Sequence, residues 1–343
     1  MHGSWQDSLK EAVSADVDAS AKTLERYSHD ASIFEIVPKA VVFPKNTQDV
    51  EKLVQFVNSQ KKSGTHLSLT ARSAGTDMSG GPLNDSIIVD FQKYINKFES
   101  LKDSTATVEP GIFYRDFEKE TLKDNLIFPS YPASREICTI GGIVNNNAGG
   151  EKTLNYGKTE DYVESIKVVL ADGKEHEFRA LTETQIEHKL RLGNFEGEVY
   201  RKIYRLILDN YEILKKAKPN VSKNSAGYFL WNVYDKKTKI FDLTKLFVGA
   251  QGTLGLITRV SIKLVPTVKH SEMVIIYLDN LEHLAQLINL VLPLKPESFE
   301  TYDDHTFKLA VRYFTSFAKH MGARNIFQLT WYLLPDIIKI LTG

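Results

Sequence analysis

Three short stretches hold residues whose types and spacing could do chemistry. They are ARSAGTDMSGGP, residues 71–82, TIGGIVNNNAGGEKTLNYG, residues 139–157, and GAQGTLG, residues 249–255. In each, glycines sit beside small polar residues and large side chains are scarce. Consecutive backbone N–H groups in such a turn can converge on one point and bind an anion. Glycine also lets the main chain approach a ligand closely, with no Cβ in the way. The hydroxyls of Ser73, Thr76 and Ser79 add donors, so the first turn is expected to cradle phosphate without a lysine. It is not a Walker A loop, because no Gly-Lys-Ser/Thr follows, and no G-x-G-x-x-G runs from a strand into a helix. Nicotinamide binding therefore has no support. A single Gly-Ser turn is ordinary on a β-rich protein; three in one chain point to a long, flat, phosphorylated ligand.

Residues for proton transfer or metal binding are sparser. The chain has 9 histidines, and no two lie within four residues of one another, so no helical or hairpin metal pair is visible. Asp303, Asp304 and His305 stand together in YDDHTF, where a solvated helix N-terminus accounts for them. The single cysteine, Cys138, excludes an intrachain disulfide and any cysteine-held metal or iron–sulfur centre. A small buried side chain before a strand is its expected role.

The elements that must position these turns alternate without regular βαβ order, which gives an α+β class. VPKAVVFPKN reads as a strand. A helix is predicted after an N-cap at Asn46 or Thr47, with Val50, Leu53, Val54 and Val57 on one face. HLSLTA and SIIVDF flank the first turn as strands, ATVEPG is another, and ESIKVVLADGKEHEF is a hairpin about Asp172-Gly173. Residues 181–220 read as largely helical, with Val199, Ile203, Leu206 and Ile207 on one stripe. KLFVGAQGTLGLITRVSIKLVP reads as strand, glycine turn, strand. After Pro266, EMVIIYLDN, a helical LEHLAQLINLVL and FETYDDHTFKLAVRYFTSFAKHM look like the opening of another α+β unit, and WYLLPDIIKILTG like a kinked, packed helix.

The length of 343 residues and 42% hydrophobic content support a substantial core. Lys plus Arg and Asp plus Glu both number 43, so the net charge is zero and nucleic acid is not an expected partner. The N-terminus lacks a basic start followed by an apolar run, and no apolar run reaches bilayer-spanning length. No signal peptide or transmembrane segment is expected. A cytoplasmic location is expected, with peripheral membrane attachment as the alternative.

In this order, the three turns resemble the FAD-binding domain of the vanillyl-alcohol oxidase / p-cresol methylhydroxylase (PCMH) superfamily, in its glycolate oxidase and D-lactate or D-2-hydroxyglutarate dehydrogenase branch. The branch's Arg-Gly-x-Gly-Thr-x-x-Ser-Gly pyrophosphate loop stands here as Arg72, Ser73, Ala74, Gly75, Thr76, Asp77, Met78, Ser79 and Gly80. Its flavin-side loop is similar to Pro129, Pro132 and Ser134 followed by Thr139 to Gly150, then Tyr156-Gly157. Its third element matches Gly249 to Thr258. Serine at 73 replaces the usual glycine, and Ile143 and Asn146 replace the usual Asn and Thr. The resemblance implies FAD contacts from residues 72–80, Pro132, Ser134, Thr139, Gly141, Gly142, Asn145, Asn147, Ala148, Gly149, Gly252, Thr253, Gly255 and Ile257. Amides near Gly141 and Gly142 are expected at the flavin ring edge. With no histidine in the first loop, binding is expected to be non-covalent. Lys152 occupies the place where relatives often carry a basic residue near the flavin.

The domain plan implied is a helical segment at 1–36, a PCMH-type FAD-binding domain of two α+β subdomains at 37–266, and a partial α+β cap at 267–343. The activity implied is hydride transfer from C2 of a D-2-hydroxy acid to flavin N5, with electrons passing to a quinone or an electron-transfer protein. The alternative is an FAD-binding subunit that depends on a partner chain, as in glycolate oxidase complexes. An enolpyruvyl-UDP-sugar reductase fits less well, given GAQGTLGLIT and the cap-like residues after 266.

Overall fold

The structure is a computed structural model, and it describes residues 5–221 and 224–313. The chain divides into two compact units, Met1–Ser298 and Phe299–Gly343. Within the first unit, α1 (Trp5–Ala12), β1 (Asp16–Asp18), α2 (Ala21–Tyr27), β2 (Ala40–Phe43), α3 (Thr47–Lys62), β3 (Leu69–Arg72) and β4 (Ile87–Asp90) come first. Their four strands form a sheet in the order β1-β2-β4-β3. β2, β4 and β3 run parallel, and β1 joins antiparallel.

Val41, Val42, Ile87, Ile88 and Val89 have no exposed surface, as a parallel sheet covered on both faces requires. Leu9 of α1 and Val50, Leu53 and Phe56 of α3 pack on one face, and Tyr27 of α2 packs on the other. Each such side chain favours folding by about 1.5–3 kcal/mol. Asn46 caps α3 by accepting the Asp49 N–H at 3.0 Å. The N-terminal stretch expected to be helical thus also supplies β1 and part of this core.

The second subdomain is antiparallel. It comprises β5 (Phe98–Lys102), β6 (Thr105–Val108), α4 (Tyr114–Thr121), β7 (Leu126–Ile127), α5 (Ile140–Asn145), α6 (Thr153–Tyr156), β8 (Val163–Val169), β9 (Glu175–Leu181), α7 (Glu183–Arg191), α8 (Phe195–Asp209) and α9 (Tyr211–Ala217). β10 (Tyr234–Asp235), β11 (Ile240–Asp242), α10 (Thr244–Phe247), β12 (Leu256–Lys263) and β13 (Val265–Pro266) complete it. Seven strands pair in the order β10-β11-β9-β8-β12-β6-β5, and β13 pairs with β7. Phe178, Tyr200, Phe241 and Phe247 fill its core.

The predicted hairpin is β8–β9, and its turn docks on the first subdomain. Gln55 Nε2 donates to Gly173 O at 2.8 Å, and Asn58 Nδ2 donates to Ala171 O at 2.7 Å. Glu51 Oε1 accepts the Glu175 N–H at 2.8 Å. Val169 and Leu256 reach into the first subdomain's core. These contacts fix the two sheets, and the turns they carry, against each other.

Three expectations differ from the structure. KLFV, predicted as a strand, is the short helix α10. Leu206 is 43% exposed, while the other predicted stripe residues of α8, Val199, Ile203 and Ile207, face the core beside Tyr200. EMVIIYLDN, expected within an α+β unit, carries no regular element: residues 267–283 are irregular, with Met273, Val274 and Tyr277 each more than 80% exposed. α11 (Leu284–Val291) follows. In the second unit, α12 (Asp304–Arg312) begins where Asp303 Oδ1 accepts the Thr306 N–H at 2.7 Å. WYLLPDIIKILTG lies outside the described residues. Among the described residues no helix is long and apolar enough to cross a membrane.

Candidate cofactor site

The first turn leaves the carboxyl end of β3, where open sheets with parallel strands bind ligands. From Ser73 to Gly80, no backbone N–H has an acceptor among the described residues. Ser73 to Asp77 and Gly80 are half-buried, where amides rarely stay unpaired, so these free donors are available to an anion with several oxygens. Asp77 Oδ2 accepts from Ser79 Oγ at 2.8 Å and from the Gly81 N–H at 2.9 Å, closing the far end of the loop. Thr76 and Ala74 lie along it, half-buried, and Met78 is exposed.

Arg72 does not point into this cradle. It is buried, and its guanidinium donates to Tyr27 O at 3.1 Å and His29 O at 2.5 Å. Gly75 sits directly against it at φ +68°, where a Cβ would lie 2.6 Å from the guanidinium.

The second stretch, expected to be a bare turn, opens as the short helix α5. Thr139 is its N-cap, and its hydroxyl faces the Gly142 N–H. Gly141 donates to Pro110 O at 2.7 Å, and a Cβ there would meet Pro110 Cβ at 2.6 Å. The bareness at 141 thus serves a close backbone crossing. Its amide is engaged there and not offered to a flavin ring edge, as the sequence led us to expect.

The three stretches converge through contacts of long sequence separation. Ser73 Oγ hydrogen-bonds Thr139 Oγ1, and a Cβ on Gly142 would lie 2.8 Å from Ser73 Oγ. Asn145 joins the second stretch to the third. Its carbonyl accepts from the Gln251 N–H, and its Oδ1 accepts from the Gly252 N–H, each at 2.9 Å. Gly249 donates to Val144 O at 2.9 Å. Asn147, fully buried at φ 45°, has a side-chain Nδ2 with no partner among the described residues, a second open donor beside these glycines. Thr253 Oγ1 bonds Tyr228 OH at 2.7 Å.

Other expected residues have structural duties. Ala148 O accepts from Ser130 Oγ at 3.1 Å and Thr159 Oγ1 at 2.8 Å. Pro132 O and Ser134 O accept N–H groups in the turn 132–138. Gly149 packs against Thr153, Gly255 against Val168, and Ile257 is buried within β12. Lys152 lies beside the second stretch and pairs with Glu297 at 2.9 Å, a partner that no local pattern reveals. Cys138 is buried, and that burial pushes its thiol up to about 11, so it is a neutral packing residue at physiological pH. Burial also raises the carboxyl of Glu160, whose N–H donates to Asn147 Oδ1 at 3.0 Å, with the neighbouring Asp161 adding to the effect. Asp303, Asp304 and His305 stand exposed at the start of α12, and among the described residues no group of His, Cys, Asp and Glu side chains is placed to hold a metal ion.

Comparison with known proteins agrees with this geometry. Residues 38–179 match the family described as FAD binding domain. A D-2-hydroxyglutarate dehydrogenase of Pantoea ananatis is 28% identical over 82% of this chain and 28% of its own length. The glycolate oxidase subunit GlcD of Bacillus subtilis is 28% identical over 82% of this chain and 49% of its own. A D-lactate dehydrogenase of Archaeoglobus fulgidus is 25% identical over 87% of this chain and 55% of its own. This chain thus spans between about a quarter and about half of the relatives it matches. In fold, an alkyldihydroxyacetonephosphate synthase superposes with a TM-score of 0.53 over 79% of this chain, at 17% identity. The free donors of residues 73–80 and the open Asn147 amide fit a pyrophosphate-bearing cofactor. Residues 38–179 thus match an FAD-binding domain of the PCMH type, and the cofactor that this match and the relatives support is FAD.

Proposed function

We propose that the chain holds FAD non-covalently and serves oxidation of a D-2-hydroxy acid such as D-lactate, glycolate or D-2-hydroxyglutarate. The observation that carries this reading is the convergence of the three stretches on a loop whose N–H groups are free. When bound, FAD supplies a hydride acceptor at flavin N5. The chain's own residues do the holding. Amides of Ser73 to Gly80 bind the pyrophosphate, and the hydroxyls of Ser73, Thr76 and Ser79 lie in the same loop. Thr139, Gly142, Asn145, Gly149, Gly252 and Thr253 shape the wall shared by the second and third stretches, with the Asn147 amide as a further donor.

Lys152, beside the second stretch, is the candidate for balancing negative charge at the flavin, and Glu297 holds it in place. In the first two loops covalent attachment has no candidate: Cys138 is buried and neutral, and no histidine lies in Arg72–Gly80. Oxidation removes a hydride from C2 and a proton from the hydroxyl, leaving a 2-oxo acid. The two electrons then pass to a quinone or an electron-transfer protein. Residues 267–343 are read as part of the cap domain that the resemblance implies.

Anaerobic titration of the FAD-loaded chain with D-lactate, glycolate and D-2-hydroxyglutarate tests this. Bleaching of the flavin absorbance by one of them is the expected result; a spectrum unchanged by all three, alone and with a partner subunit present, would overturn it. A second reading, an FAD-binding subunit that works only with a partner chain, is favoured by the exposed Met273, Val274 and Tyr277. It predicts bleaching only once the partner is added.

A further inference from the structure

We propose that Arg72 is a positioning residue: without touching phosphate, it carries the pyrophosphate loop on its guanidinium and clasps the strap Tyr27–Phe34 to that loop. This rests on reading residues 73–80 as the pyrophosphate cradle.

The side chain turns back beneath the loop. It spends its donors on Tyr27 O at 3.1 Å and His29 O at 2.5 Å, with the guanidinium carbon 5.0 Å from the centre of the Tyr27 ring. Gly75 rests against it so closely that a Cβ would lie 2.6 Å away. The strap that Arg72 holds returns to the loop at two further points. Ala31 donates to Gly75 O at 3.0 Å, and the Phe34 ring lies 3.0 Å from where a Cβ of Gly80 would stand. The strap begins before the 38–179 span of the matching FAD-binding family, so that match assigns it no part in the site.

Charge gives Arg72 a role beyond packing. Among the described residues it makes no salt bridge, although Asp30 and Asp90 lie near enough to favour its charge. Asp90 accepts from Tyr27 OH at 2.8 Å and from the Gln92 and Lys93 amides; Asp30 accepts from Ser32 through Oδ1, while its buried Oδ2 has no hydrogen-bond partner among the described residues. A buried cation with no carboxylate in direct contact is costly, because its desolvation is only partly offset. A diphosphate bound to the amides above it offsets that cost, so cation and cradle act on the same anion.

The test compares FAD with riboflavin, which lacks the pyrophosphate, by equilibrium binding to the full chain. Arg72→Gln is expected to weaken FAD by about tenfold or more while shifting riboflavin by no more than about twofold, the size of a lost charge-assisted interaction. Arg72→Lys, keeping the charge, is expected to recover part of the FAD affinity. Should Arg72→Gln fail to fold, Gly75→Ala displaces the guanidinium from the loop and is expected to show the same selective loss. FAD affinity unchanged in the folded variants, or both flavins weakened alike, would overturn the proposal. A wild-type chain that binds riboflavin as tightly as FAD would overturn the cradle reading, and the proposal with it.

Discussion

At the scale of residues, the site depends on a few atoms that join distant stretches. Ser73 against Thr139 and Gly142 is the tightest of these joints. Gly142→Val places a side chain into Ser73, and overpacking of this kind costs about 1–3 kcal/mol. The expected outcome is FAD affinity weaker by about tenfold, read by flavin fluorescence, with the fold retained by circular dichroism. Asn145→Ala leaves the half-buried Gly252 N–H without its acceptor, a loss of about 1 kcal/mol, measurable by denaturant unfolding. The bare stretches were legible in the sequence because their chemistry is local: glycine beside small polar residues. The joints were not, since the sequence places Ser73 far from Thr139, and Arg72 looks like a phosphate ligand until its guanidinium is seen under the loop.

At the scale of elements, caps and buried ionisable groups set the margins. Asn46→Ala removes the α3 cap and is expected to lower stability by about 1 kcal/mol in urea unfolding. Cys138 titrates higher folded than unfolded, so its contribution is whole below pH 9 and is lost as pH rises towards about 11. Cys138→Ala should therefore flatten the fall in Tm between those values; an identical profile would contradict the burial argument. The β8–β9 hairpin and α3 were readable because alternation and an Asn cap are strong local signals. α5 was not. Two glycines in a short segment argue against a helix, and this one is held by its tertiary packing, with Ile140, Ile143 and Val144 buried. α10 reads as a strand for a similar reason: a short apolar run has no period of its own.

At the scale of the whole molecule, two sheets are locked by the hairpin turn on α3, and the three glycine stretches meet where they join. That arrangement makes FAD binding a property of the folded chain as a whole. Ligand linkage then predicts stabilisation by about 2.7 kcal/mol when free FAD is 100-fold above its Kd. The most direct test is a titration of the flavin-free chain with FAD, followed by absorbance, flavin fluorescence and Tm together. Saturable binding of a single FAD per chain with a rising Tm is the predicted result. A chain that is folded by circular dichroism yet leaves FAD free and its Tm unmoved would contradict the account.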